Sequence, residues 1–250
     1  MKIAIHHRKN SFSEDWLQYC SGLNIEVEVV DCYSSNIVDR LRDCDALMWH
    51  FHHANCRDVL FSKQLIYSLQ TSGKVVLPDF QTCWYFDDKV GQKYLLEAID
   101  APLVPSYTFY DKNSALEWLE TAAFPKVFKL RHGASSSNVQ LAKTKRAAEK
   151  LIKKAFGRGF PQYRPVSNLK ERWRKFKLGQ SNILDVMKGV MRLGYTTDYS
   201  RVVDSERGYV FFQDFIPNKK YDLRVIVIGN KAFGVKRRTR AGDFRASGSG

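Results

Sequence analysis

A lysine followed by a loop of small residues is the first part of this chain whose residue types point to chemistry. Lys129 closes an apolar run, and Ala134-Ser135-Ser136-Ser137 follows before a second apolar run begins at Val139. A lysine at the end of a strand can set its ammonium group against a phosphate, while N–H groups of a small-residue loop surround the same anion. A solvated hairpin tip has the same pattern, so the stretch alone leaves both interpretations open.

Histidines form the second group of candidate residues. Five of the six lie at the ends of the first and third predicted strands: His6, His7, His50, His52 and His53. The carboxyl ends of parallel strands flank the ligand crevice of an open α/β sheet. A metal site would need acidic partners that the nearby sequence lacks. The sequence therefore favours the lining of an anionic substrate's pocket, or simple exposure, over a metal site.

The first eighty residues alternate strand and helix patterns, which predicts a parallel sheet covered on both faces. The predicted strands are 2–5, 25–30, 46–51 and 74–77, and the predicted helices are 13–19, 36–42 and 57–70. No GxGxxG pattern follows the first strand, and the Walker pattern GxxxxGK[ST] does not occur in the chain. A dinucleotide site and a P-loop are therefore not indicated.

From Pro78 onward the pattern becomes a mixture of helices and strands. Predicted helices cover 82–99, 114–121, 143–156, a segment that begins at the capping residue Asn168, and 183–193. Predicted strands cover 107–110, 126–130, 138–142, 209–212, 223–228 and 231–235, the last two joined by a hairpin turn at Gly229-Asn230.

Composition restricts the class of protein. The 250 residues can bury two modest cores, and the five cysteines show no CxxC pair, which indicates a reducing, cytoplasmic setting. No apolar run is long enough to span a membrane, and the first residues lack the layout of a signal peptide.

The positive charge lies in the second half of the chain. Residues 1–142 carry 14 Lys+Arg and 17 Asp+Glu, whereas residues 143–207 carry 17 and 6. This asymmetry favours an anionic ligand, substrate or surface met by that half rather than a uniform DNA coat. A basic helix over 169–177 could bind nucleic acid or anionic lipid, but inward packing of Trp173 and Phe176 is favoured, so nucleic acid is not an expected partner.

Five short motifs occur in a fixed order along the second part of the chain. They are Asp88-Lys89, Pro125-Lys126-Val127-Phe128-Lys129, Gln213-Asp214-Phe215-Ile216, Asp222-Leu223-Arg224, and Arg237 followed by Gly242-Asp243-Phe244-Arg245-Ala246-Ser247. Their order and spacing resemble the ATP-grasp superfamily, most closely the branch of glutathione synthetase and the ribosomal-protein glutamate ligase. The resemblance covers about residues 79–250 by motif, and residues 1–78 match the preceding domain of that family by architecture alone.

The resemblance implies a fold and a domain division. The expected fold class is α/β, with a parallel-sheet pre-ATP-grasp domain at 1–80 and an incomplete ATP-grasp α+β module at 81–250. A basic helical insertion is expected at about 157–207. The family's magnesium ligands would lie beyond Gly250, so the chain resembles a fragment of a longer protein that is inactive alone.

The resemblance also implies roles for individual residues. Nucleotide binding would involve Lys89 and Lys129 at the phosphates or the adenine edge, Ser135, Ser136 and Ser137 over the phosphates, Gln213, Asp214, Phe215 and Ile216 around adenine, and Asp222 at the ribose. Arg224, Arg237 and Arg245 would stabilise the γ-phosphate and an acyl-phosphate intermediate. No metal ligand is assigned within the chain. His132 and the serines stand where the family usually has more glycines.

The implied activity is that of an ATP-dependent carboxylate–amine ligase that uses ATP and Mg²⁺ and acts through an acyl phosphate. Its partners would be ATP, an unidentified carboxylate and an unidentified amine, and a homo-oligomer stays open. Two alternatives remain at this point. One is a polyanion-binding protein with a vestigial nucleotide site, and the other is a kinase built on the same module.

Overall fold

A computed structural model describes residues 1–53, 55–132, 138–161, 169, 172, 173, 176, 182–191, 205–217 and 221–238. The chain divides into two compact units, Met1–Phe86 and Asp87–Gly250. The predicted helix that begins at Asn168 lies mostly outside the described residues. Its Trp173 is 47% exposed, so the expected inward packing of this side chain is wrong.

The first unit contains a four-stranded parallel sheet in the order β2-β1-β3-β4. The sheet is hydrophobic on both faces because helices cover it, and Leu47, Trp49 and Ile66 are fully buried in its larger core. This confirms the predicted parallel sheet. The elements are β1 (Lys2–His6), α1 (Phe12–Gly22), β2 (Glu26–Val30), α2 (Ile37–Arg40), β3 (Ala46–Met48), α3 (Cys56–Thr71), β4 (Val75–Leu77) and α4 (Phe80–Cys83).

The single helix expected over 82–99 is wrong. Two helices occur instead, α4 and α5 (Lys89–Ala98). Each begins at its own aspartate: Asp79 accepts the N–H of Thr82 at 2.7 Å, and Asp88 accepts the N–H of Gly91 at 2.8 Å. Asp87 between them has φ +56°, a left-handed conformation that a helix interior cannot accommodate. Two N-caps within one amphipathic run therefore divide it.

The second unit contains a four-stranded antiparallel sheet in the order β5-β8-β6-β7. One face packs on two helices, where Phe128, Phe212 and Ile152 are fully buried. Ala148, Ile152 and Ala155 are the buried residues of the helix predicted over 143–156, which is confirmed. The elements are β5 (Ser106–Phe109), α6 (Lys112–Thr121), β6 (Lys126–Lys129), β7 (Val139–Ala142), α7 (Lys145–Ala155), α8 (Ile183–Met191) and β8 (Val210–Asp214).

A two-stranded hairpin follows β8. Its strands are β9 (Tyr221–Ile228) and β10 (Lys231–Arg238), and they pair in antiparallel register with Ile228 opposite Lys231. Gly229 in the turn has φ +59°, which glycine adopts without steric cost. The predicted hairpin at Gly229-Asn230 is confirmed, with both strands longer than expected.

The ends of the predicted insertion are joined. Phe160 and Glu206 exchange both backbone hydrogen bonds, each 2.9 Å long, and the N–H of Gly208 donates to the carbonyl of Ala155 at 3.0 Å. The two ends of this segment, after α7 and just before β8, therefore lie side by side. Among the described helices, none is long and apolar enough to cross a membrane.

Candidate functional site

The two lysines of β6 lie on opposite faces of the antiparallel sheet. Side chains alternate along a strand, so Lys126 shares a face with Phe128, and Lys129 shares the other face with Val127. Lys126 is 5% exposed, pairs with Asp214 on the neighbouring strand and lies 4.7 Å from the ring centre of Tyr107. Lys126 is thus held within the packed face of the sheet. Lys129 is the lysine that the other face offers to a ligand.

Lys129 is held in place by a neutral partner. Its Nζ donates to Oε1 of Gln213 at 2.5 Å, and Nε2 of Gln213 donates to the Ser106 hydroxyl at 2.9 Å. These contacts connect β6, β8 and β5 on one face of the sheet. Burial, with a smaller contribution from the charge of Lys89, lowers the pKa of Lys129 to about 8.

Lys89 brings a second ammonium group to the same region. It is the first residue of α5, and its backbone N–H donates to the carbonyl of Arg131 at 3.0 Å, two residues after Lys129. Its Nζ lies 3.4 Å from the same carbonyl oxygen. Burial lowers the pKa of Lys89 as well. Two partly buried ammonium groups that repel each other are stabilised when an anion of several charges lies between them.

An ion pair fixes the start of α5 to the end of β6. Asp88 is 4% exposed and accepts from Nε of Arg131 at 2.8 Å and from Nη2 of the same guanidinium. Burial alone would raise the pKa of Asp88, but Arg131 and the Gly91 N–H together hold it below its ordinary value. The pair sets the position of Lys89 relative to Lys129.

Glu206 anchors the chain where the serine loop begins. Its carboxylate accepts the backbone N–H of Arg131 at 2.9 Å and that of His132 at 3.0 Å, and the hydroxyl of Tyr209 also donates to it. The sequence interpretation missed Glu206, Arg131 and Tyr209. The sequence carries no signal that marks Glu206, which is one of six acidic residues in 143–207, and its partners Arg131 and His132 lie about 75 positions away.

The Gln213–Ile216 motif ends β8 and continues into the connection to the hairpin. The backbone N–H of Asp214 donates to the carbonyl of Pro105 at 2.9 Å, and its side chain pairs with Lys126. An adenine contact at Asp214 would therefore use its carbonyl oxygen. Phe215 and Ile216 follow the strand, and Ile216 is 46% exposed.

The hairpin brings three other predicted residues onto one face. Asp222 and Arg237 lie opposite each other, and Nε of Arg237 donates to Asp222 at 2.9 Å, with Nη2 donating to its second oxygen. Arg224 is two residues from Asp222 and so points to the same side. Because the ion pair is bidentate, it fixes the planes of both side chains. It therefore positions Asp222, which was predicted to bind ribose, and Arg237, which was predicted to bind phosphate.

Several predicted residues cannot be placed. Ser135, Ser136, Ser137 and Arg245 lie outside the described residues, so their assigned roles stay predictions. Within the described part of the chain, no group of three His, Cys, Asp or Glu side chains is arranged to hold a metal ion.

Comparisons with known proteins agree on the fold. No protein-family model and no curated protein matches the chain. Among solved structures, a RimK domain protein ATP-grasp from Sphaerobacter thermophilus is 15% identical, with a TM-score of 0.54 over 93% of this chain and 70% of that one.

Two further structures are similar over nearly the whole chain. N5-carboxyaminoimidazole synthase from Aspergillus clavatus, in complex with ADP and an aminoimidazole ribonucleotide, is 9% identical with a TM-score of 0.52, over 97% of this chain and 54% of that one. The second is the biotin carboxylase domain of a Hydrogenobacter thermophilus 2-oxoglutarate carboxylase, in complex with MgADP, ADP and bicarbonate. It is 13% identical with a TM-score of 0.52, over 95% of this chain and 49% of that one.

These likenesses define the chain as a protein with the ATP-grasp fold. The expected fold class, a mixed α/β chain with one parallel and further antiparallel sheets, is confirmed. The structural neighbours include ATP-dependent ligases and carboxylases, and the chain spans about half the length of two of them.

Proposed function

We propose that this chain belongs to an ATP-dependent carboxylate–amine ligase that works through an acyl phosphate. The nucleotide would be ATP with Mg²⁺, since two structural neighbours carry ADP and one of them MgADP. The carboxylate would attack the γ-phosphate to give an acyl phosphate and ADP. The amine would then displace phosphate and form the amide.

The pair of Lys89 and Lys129 is the observation that supports this proposal most. The two ammonium groups are partly buried, and the charge of Lys89 adds to the burial that lowers the pKa of Lys129. Lys89 contacts the Arg131 carbonyl, and Lys129 contacts the Gln213 side chain. A polyphosphate chain supplies the negative charge that such a pair favours. Arg224 and the Arg237–Asp222 pair would supply further guanidinium groups for transferred phosphate.

Hydroxylamine trapping tests the chemistry whatever the natural amine is, because hydroxylamine takes the place of that amine. The full-length protein is incubated with ATP, Mg²⁺, hydroxylamine and pools of carboxylic acids, and hydroxamate is measured together with ADP. The proposal predicts hydroxamate in equal amount to ADP for at least one acid, and its loss in Lys129→Met.

The control for that experiment is Lys153→Met. Lys153 is 59% exposed on α7 and pairs with Glu149 one turn away, so its replacement leaves the rate unchanged. A stable phosphorylated acid or alcohol with no hydroxamate would identify a kinase instead. No ADP from any pool would contradict both.

A further inference from the structure

A cluster of basic side chains lies at one edge of the parallel sheet in the first unit, and it includes two of the histidines that the sequence placed in an anionic substrate's pocket or at the surface. β1 and β3 are parallel neighbours, so the residues that follow them emerge at the same edge. Arg8 follows β1, and His50 and His52 follow β3. All three side chains come from short connections that begin at buried strands.

A fully buried carboxylate organises this edge. Asp58, in the first turn of α3, has no exposed surface. It accepts the Tyr33 hydroxyl at 2.5 Å and the backbone N–H of His52 at 2.6 Å, and Nη1 of Arg8 lies 3.5 Å away. One negative charge therefore fixes a hydroxyl, a turn and a guanidinium whose side chain is 31% exposed. A guanidinium has five N–H donors, so Arg8 retains donors for a partner other than Asp58.

His50 is oriented by two contacts from the start of α1. Its Nδ1 lies 3.0 Å from the Ser11 hydroxyl, and its ring centre is 4.6 Å from that of Phe12. Ser11 is the N-cap of α1, yet its hydroxyl makes no capping hydrogen bond. With Nδ1 held, Nε2 is the ring atom that can donate to a ligand.

The charges around these histidines oppose further protonation. Burial lowers the pKa of His50, and Arg8 lowers it further, while Asp58 acts in the opposite direction. Burial also lowers the pKa of His52, and so do His53, Arg8 and His50, again against Asp58. A bound anion would reverse this balance, because it favours the charged form of every neighbouring imidazole.

We propose that Arg8, His50 and His52 form a binding site for a small oxyanion, a carboxylate or a phosphate group, at the carboxyl edge of the first unit's sheet. A cation is disfavoured there because the positive charge of Arg8 acts on both histidines. All three residues belong to the first unit, and none of them is assigned to nucleotide binding. The proposed site therefore does not require that the chain is part of a ligase.

Calorimetric titration of the whole chain tests this site. Inorganic phosphate and succinate are titrated separately at pH 6 and pH 8, in two buffers that differ in ionisation enthalpy. At least one probe is expected to bind more tightly at pH 6, with net proton uptake, because the anion favours the imidazolium forms. The probe that binds distinguishes a phosphate site from a carboxylate site.

Four variants locate the binding. Arg8→Gln and His50→Gln are expected to weaken it at least tenfold, and His50→Gln also to reduce the proton uptake. Arg42→Gln, an exposed arginine of the same unit paired only with its helical neighbour Asp39 among the described residues, changes nothing. The same titrations are repeated in the Lys129→Met background, where phosphate binding at the lysine pair is weakened, and the loss caused by His50→Gln should persist there.

Thermal unfolding of each variant guards against loss of fold, since Arg8 contacts the buried Asp58. Arg8→Lys keeps the charge but loses the planar fork, so it should retain part of the affinity. If Arg8→Gln does not fold, His50→Gln decides. Absence of binding by both probes, equal binding by wild type and His50→Gln, or disappearance of the His50→Gln effect in the Lys129→Met background would overturn the proposal.

Discussion

At the scale of single residues, the two lysines of one motif have different surroundings: Lys126 is packed inside the fold, and Lys129 lies among the predicted site residues. The sequence interpretation selected Lys129 because it precedes the serine loop, and the structure places it beside Gln213, another predicted site residue. Lys126, three residues earlier, is buried against Tyr107 and Asp214. The period of two in a strand accounts for this difference, and it can be applied to the sequence once the strand is recognised.

Other residues of the site could not be predicted from the sequence. Glu206 was assigned to an insertion, yet it holds the backbone of Arg131 and His132. Its role depends on two chain ends that meet only after folding, and no local pattern records such a pairing. The Asp222–Arg237 ion pair was partly predictable, since both residues were selected, but the register that joins them came from the hairpin.

The lowered pKa of Lys129 predicts a pH dependence of nucleotide affinity. Its free-state pKa is about 8, and bound phosphates favour the protonated form. ATP affinity should therefore be constant below pH 8 and fall by up to about tenfold per pH unit above it. Lys129→Arg, which stays charged, should remove this decrease. Calorimetric or fluorescence titration between pH 7 and 9.5 measures it, and a wild-type profile parallel to that of Lys129→Arg would refute the assignment.

At the scale of elements, apolar periodicity predicted nearly all strands and the helix α7. It failed between Thr82 and Asp88, where capping competes with periodicity. Asp79 and Asp88 each satisfy free N–H groups at a new helix start, so two short helices replace the expected long one. The capping box at Asn168 is visible in the sequence, whereas the positive φ of Asp87 has no sequence signature beyond the residue type.

Gly159 controls the contact between the two ends of the predicted insertion. It has φ +73°, and a Cβ there would lie 2.8 Å from the carbonyl oxygen of Glu206. Gly159→Ala should therefore open the Phe160–Glu206 bridge, lower the free energy of unfolding by about 1–3 kcal/mol and weaken ATP binding by displacing Glu206.

Gly208→Ala is the matched control for that variant. Gly208 has φ +82°, but a Cβ added there would have no atom within 4 Å, so this variant isolates backbone strain from the clash. Denaturant unfolding should show a larger loss for Gly159→Ala, and only that variant should lose ATP affinity. Equal losses in both variants would mean that this contact has no part in the site.

At the scale of the whole molecule, the sequence predicted the fold class because five motifs and an alternating first half pointed to one superfamily. The structure confirms that class, and the division between the two compact units falls at Phe86–Asp87. The roles of the units, a preceding domain and an ATP-grasp module, stay predictions. The charge asymmetry predicted an anionic ligand or surface for the second half of the chain. The structure does not test that prediction, since most of the basic segment 157–207 lies outside the described residues.

Direct titration of ATP into the whole chain tests the central claim, that the Lys89–Lys129 pair forms a nucleotide phosphate site. Wild type and Lys153→Met should bind ATP with the same affinity. Lys129→Met should bind at least about tenfold more weakly, because it loses a charge-assisted contact worth about 1.5–3 kcal/mol. Equal affinity of Lys129→Met and wild type, with both folded, would contradict the claim.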